Sequence, residues 1–361
     1  MKSEFGIHSD SPKRLTGLDG LRFVAIMILV WGHCAQRDFV SLGNGSTIMS
    51  LPLPDGCLTI LFVLSGFLAG YFPEKTKDVK AYYLKRAIRL FPVYYFYVIV
   101  VCLTFLLMGE KSEVCNNRLW YYIFSMGIIP FSTSNGILPF VHLWFVSSVV
   151  LFYILFPWAV KASNGKLRQW SFACLVFFFV SKLVVYFCFG KDSMVYRLIA
   201  SSQFDCIFCG VYAASLLKEH NQFVKSVGNS RTIIAFAWIL FLVSGLYSSS
   251  IPAPIRNEFF MVVATTLILG LVSDRPLVNF EGEFWHFMGR ISYDIFVIHI
   301  IVLLVISRLY QNLGVVEVSV LNSVVIYVLA TGITVILAWL CNKYIEEPLG
   351  KIIRKVPSNN I

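Results

Sequence analysis

LDGLRFVAIMILVWGHC, Leu18 to Cys34, is apolar enough to lie in a bilayer, yet it carries Asp19, Arg22 and His33. Eleven positions separate Arg22 from His33. At about 100° per residue His33 returns to within about 20° of the Arg22 direction, roughly 16.5 Å further along the axis. The two side chains therefore share one stripe. Ionisable groups inside a span are costly and mark function by default. A guanidinium below an imidazole reads as a binding group below a catalytic one. Asp19 and Arg22 are three apart and can pair. The bland alternative is an Arg22 that snorkels to the interface with Asp19 as partner.

The rest of the chain is built like this stretch. Of 361 residues, 57% are apolar and only 14% charged. That excludes an ordinary soluble protein and predicts an all-α, polytopic membrane protein. Ten spans are predicted, at 18–35, 57–72, 90–108, 138–160, 170–189, 197–217, 232–249, 257–273, 290–308 and 320–341. An aromatic run at 119–131 is too short to span and reads as re-entrant or interfacial. The net charge of +10 fits positive-inside loops rather than nucleic-acid binding. With the N-terminus in the cytoplasm, 22 Lys and Arg fall on the cytoplasmic side and seven on the other, with Lys182 mid-span. This predicts ten spans with both termini cytoplasmic.

No repeat and no long loop is visible, so residues 1–361 read as one membrane domain. The first span lacks a cleavage site and is not expected to be a removed signal. The nine cysteines form no framework. Cys34, Cys57 and Cys115 are close enough to the outer side for a disulfide to be an option. No metal site is expected, since Cys206-x-x-Cys209 has no second ligand pair.

The most basic segment is YFPEKTKDVKAYYLKRAIRLFPVYYFYVI, residues 71–99. Lys85 lies there, and Arg86 and Arg89 share a helical face. Paired guanidinium forks suit phosphates; a positive-inside anchor is the other reading. No Walker A or Rossmann pattern is present, so basic side chains would have to hold a nucleotide. Ser65 in FVLSGF reads first as a close-packing residue. His142 and Trp144 open the fourth span. Arg197 and Asp205, eight apart, read as roughly co-facial in the sixth. Tyr293, Asp294 and His299 in the ninth suggest a central cavity. Glu346 and Glu347 fall at the inner interface, where solvation explains them.

These pieces, in this order, resemble the membrane-bound acyltransferase 3 family. LDGLR with Arg-x10-His resembles its first span. Phe62–Phe67 resembles its second-span motif and Lys85–Pro92 its Arg-x-x-Arg-x-x-Pro element. His142–Pro157 occupies the fourth-span place. Gly289–His299 resembles the Ser-Tyr to His element, and Glu347-Pro348 the terminal Glu-x-Pro region. One departure concerns the fourth span. Many members carry two consecutive glutamates where this chain has Val149 and Val150, so its acceptor or subgroup is expected to differ. With no hydrolase-like extension in the sequence, it is expected to group with the short members.

The resemblance implies transfer of an acyl group, usually acetyl from acetyl-CoA, to a hydroxyl of a surface glycan such as O-antigen or its lipid-linked precursor. It implies a multi-pass protein of the bacterial cytoplasmic (inner) membrane. In that frame the CoA phosphates meet Arg86, Arg89 and Lys85, with Ser65 nearby, and the thioester reaches toward His33. His33 acts as general base or as transient acyl carrier, and Asp19 orients Arg22. His142, Trp144, Tyr293, His299, Asp205 and Arg197 are pocket candidates. The rivals are succinyl or other acyl transfer, a proton-coupled transporter, and a structural subunit. The absence of internal repeats weighs against a transporter.

Overall fold

The computed structural model describes residues 15, 17–35, 53–109, 114, 116–247, 250–313 and 320–354, and every regular element among them is helical. Cys115 and both chain ends lie outside the described residues, and so does the predicted placement of the termini. Among the described residues, eleven helices occupy the ten predicted places: α1 (Gly17–Ala35), α2 (Leu53–Tyr71), α3 (Val79–Leu107), α6 (Trp144–Ala162), α7 (Leu167–Phe189), the pair α8 (Met194–Ser202) and α9 (Phe204–Lys218), α11 (Arg231–Tyr247), α12 (Ala253–Leu271), α13 (Glu283–Asn312) and α14 (Val320–Cys341). Residues 119–131 form two short helices, α4 (Leu119–Ile123) and α5 (Ile128–Ser132), rather than a span. A short α10 (Gln222–Asn229) precedes α11 at a 70° bend, and α15 (Glu347–Arg354) ends the described chain. Eight of these segments are long and apolar enough to cross a membrane alone, or nine with the bent pair; α2 is shorter.

Three boundaries differ from those read off the sequence, each for a local reason. The third helix starts at Val79, not residue 90, because Asp78 caps it by accepting from the Ala81 N–H at 3.0 Å. Arg86 and Arg89 thus ride on a rigid helix continuous with the span. The sixth span is broken: Gln203 sits at φ 46° between α8 and α9, so Arg197 and Asp205 are not on one helix. The ninth is a 30-residue helix, since its polar start at Glu283 still winds.

The centre and the rim are clearly distinct. α1 packs against both α2 and α13, while α2 packs on α9 and α12. In the apolar 18-residue stretch of α13, 78% of the residues are buried, against 6% in that of α7. Glycine permits the closest approach. A Cβ on Gly66 or Gly210 would overlap the backbone of Ile207 or Val63, so α2 and α9 cross backbone to backbone. At Gly289 a Cβ would stand 2.8 Å from the Asp19 Cα. α13 can therefore press against the start of α1, which aligns the polar residues of the two helices.

Candidate active site

At one end of the α1 stripe, three histidines from three helical segments meet. The rings of His33 and His299 stack with centroids 5.0 Å apart, and His33 Nδ1 lies 2.7 Å from His299 Nε2. His142 packs edge-on to His299 at 5.3 Å. The hydrogen bonds fix the tautomers. His299 Nδ1 is 2.6 Å from the Phe296 carbonyl, which only accepts. Its N–H must sit there, so when the ring is neutral Nε2 is the acceptor. His33 then donates from Nδ1, and its own lone pair is on Nε2. The arrangement is a base oriented by a second group that is itself fixed by backbone. His142 donates from Nε2 to the Val297 carbonyl at 3.0 Å, and its Nδ1 has no partner among the described residues.

At the other end lies a cationic site. Arg22, Arg86 and Arg89 line an internal cavity of about 180 Å³ with Leu61, Ser65, Val149, Tyr293 and Phe296. Arg22 pairs with Asp19 at 3.3 Å. Arg89 pairs with Glu346 and also donates to the Arg290 carbonyl. Arg86 stacks over Tyr153 at 4.3 Å and Tyr82 at 5.4 Å, a cation–π cradle at the cavity wall. Arg22 and Arg89 also line a second cavity of about 650 Å³, where Asp19, Arg290, Asn342, Glu346, Glu347 and Lys351 complete the wall. The two guanidiniums thus form the partition between an open vestibule and the inner cavity. Between inner cavity and histidines stands one layer of rings. Phe296 lines the cavity, touches Phe145 at 5.2 Å, and reaches His299 at 5.9 Å.

The sequence-predicted residues divide into those gathered here and those placed elsewhere. His33, His142 and His299 meet. Arg22, Arg86, Arg89, Ser65 and Tyr293 share the inner cavity; Ser65 bonds its own helix at Leu61 O, and Tyr293 donates to Leu90 O at 2.9 Å. Asp19 lies in the vestibule. Lys85 is exposed and lines neither cavity. Trp144 stacks on Phe131 at 4.8 Å, also outside both cavities. Arg197 pairs with Asp192 at 3.1 Å. Asp205 accepts from Lys182 at 2.6 Å, and Lys182 also pairs with Glu258. Asp294, which the sequence reading places by a central cavity, is wholly buried beside Arg89 and Glu346 but lines neither cavity. One participant was misread. Glu346 was read as solvated, yet a π-helical turn at Asn342–Glu346 turns both residues inward. Such a turn leaves no trace in composition, although it is frequent at functional sites.

Helices that span, converging polar groups and an internal cavity define a polytopic membrane protein with its site inside the bundle. The family model of the acyltransferase domain, acyltransferase 3, matches residues 15–343. The chain belongs to the acyltransferase 3 family. It is similar to the O-acetyltransferase OatA of Staphylococcus aureus (strain NCTC 8325 / PS 47), 23% identical over 94% of this chain and 58% of that protein. It is also similar to the putative O-acetyltransferase SACOL0978 of Staphylococcus aureus (strain COL), 22% identical over 93% of this chain and 57% of that protein. The chain thus spans less than two thirds of the length of these relatives. No solved structure matches it.

Proposed function

We propose that the chain is an O-acetyltransferase. It moves acetyl from acetyl-CoA on the cytoplasmic side to a hydroxyl of a surface polysaccharide, such as O-antigen, or of its lipid-linked precursor, in a bacterial inner membrane. The observation that carries this is the oriented His33–His299 pair one ring layer from a cavity lined by three guanidiniums. The family and the names of the relatives support O-acetyl transfer.

The chemistry balances on this chain's residues. The donor's phosphates meet Arg22, Arg86 and Arg89, whose forks match phosphate oxygens. The apolar wall of Leu61, Val149 and Phe296 takes the arm that carries the thioester. His33 Nε2 removes the proton from the acceptor hydroxyl, and the oxygen attacks the thioester carbonyl. The C–S bond breaks, and the departing thiolate takes the proton back from the His33 imidazolium. The products are an acetyl ester and free CoA. Throughout, the Nδ1–H bond to His299 holds the ring in place. His142 Nδ1 offers the acceptor sugar a buried site for a hydroxyl donor. A neutral imidazole suits a proton that is taken and returned within one turnover.

Val149 favours a second donor. It lines the arginine cavity, whose wall includes no carboxylate among the described residues. A succinyl-type acyl group would bring the missing negative charge. Mass spectrometry of surface polysaccharide, from a deletion strain and the same strain carrying the chain, tests both. A gain of acetyl ester supports the first reading, a gain of succinyl ester the second, and no ester gain rejects both.

A further inference from the structure

The vestibule contains more than cations. Three of its guanidiniums are each held by a carboxylate: Arg22 by Asp19 at 3.3 Å, Arg89 by Glu346, and Arg290 by Glu347 at 3.8 Å. Lys351 completes the wall. A ring of fork–carboxylate pairs resembles an anion site already filled from within. Its volume of about 650 Å³ lies in the range of ligand pockets, roughly 300–1,000 Å³.

We infer that the vestibule is an anion-exchange port, in which these carboxylates occupy the guanidiniums until a polyphosphate ligand replaces them. Each carboxylate has somewhere else to go. Asp19 also faces the ring of His286, 3.4 Å away. Glu346 also accepts from Asn342 Nδ2 at 2.8 Å. Glu347 is exposed and turns to solvent. Releasing Asp19 or Glu347 therefore strands no buried charge, whereas Glu346 keeps only the neutral Asn342 amide, so Arg89 leaves it only for a ligand of higher charge. Arg89 is the hinge of the exchange, because it lines both cavities and its partner Glu346 is 8% exposed. Moving Arg89 from Glu346 to a phosphate opens the partition, so ligand binding and passage to the inner cavity become one event. A resting pair also keeps small anions out of the inner cavity, since only a ligand with several charges displaces several carboxylates together. Glu346 is thus a positioning residue that acts through Arg89.

The inference rests on the CoA donor reading, and the test separates the two. Binding of CoA, inorganic pyrophosphate and pantetheine is measured by calorimetry on the purified full chain in nanodiscs. Glu346→Gln keeps the shape and an acceptor for Asn342 but removes the competing charge. It should tighten CoA about three- to tenfold, the equivalent of one moderate charge contact. Pyrophosphate should tighten in parallel, and pantetheine, which has no phosphate, should not change. Glu347→Gln, on an exposed pair that cannot endanger folding, should tighten CoA about twofold. CoA binding left unchanged or weakened by both variants overturns the exchange while leaving the donor reading intact. If Glu346→Gln does not fold, an unchanged Glu347→Gln affinity overturns it alone. A wild-type chain that binds neither CoA nor pyrophosphate overturns the donor reading, and the exchange with it.

Discussion

Two clusters of charge lie inside this bundle, and they are built to different ends. Lys182, Asp205 and Glu258 join α7, α9 and α12. The Lys182 side chain is 1% exposed, and none of the three lines either cavity beside the arginines. Among the described residues its charges pair with one another, and it acts as a staple. The cluster of Arg22, Arg86 and Arg89 is as rich in charge, yet all three forks border empty volume. An intramembrane ionisable residue is a functional candidate by default, and these two clusters show where that default divides. The deciding property is whether the charge borders a space that a ligand can enter, not how deeply it is buried.

Substitutions should separate the clusters by what they damage. Lys182→Met leaves two buried carboxylates facing each other and should destabilise the chain by about 3–5 kcal/mol, read as a lowered midpoint of thermal unfolding. Replacing all three members with apolar residues of similar volume should recover most of that loss. Arg86→Ala should leave the midpoint nearly unchanged but weaken CoA by about one order of magnitude, and adding Arg89→Ala should bring the loss to about two orders while also lowering the midpoint, because Glu346 is left buried without its cation. Unchanged CoA affinity would make those arginines a second staple and dissolve the contrast. His299→Phe keeps a ring but removes the acceptor for His33 Nδ1. It should lower the transfer rate about 10- to 100-fold with donor affinity kept, because the base loses its fixed tautomer. Val149→Glu should have the smallest effect. It should weaken an anionic acyl donor several-fold relative to acetyl-CoA, since it adds the carboxylate that the cavity wall omits.

Much of this was legible in the chain because the bilayer is an exacting solvent. It demands long apolar helices, and the ten places of those helices follow from the apolar runs. The Arg22–Asp19 pair follows from helical spacing alone. Contacts between helices were not legible. His33 and His299 are 266 positions apart, and nothing along the chain ties them together or sets their tautomers. The break at Gln203 was hidden because a left-handed residue there has no glycine to announce it. Arg197 and Asp205 were consequently placed on one face, whereas the break sends them to separate partners. Glu346 looked solvated because a π-helical turn shifts register without changing composition.

The central claim is that the histidine end performs the transfer on a donor held at the arginine end. The direct measurement is transfer of labelled acetyl from acetyl-CoA to glycan in membranes carrying wild type or His33→Ala, with CoA affinity measured on both purified proteins. The account predicts that transfer falls by about 10²- to 10⁴-fold, the contribution of a positioned base, while CoA affinity stays within about twofold. Undiminished transfer in His33→Ala would contradict it.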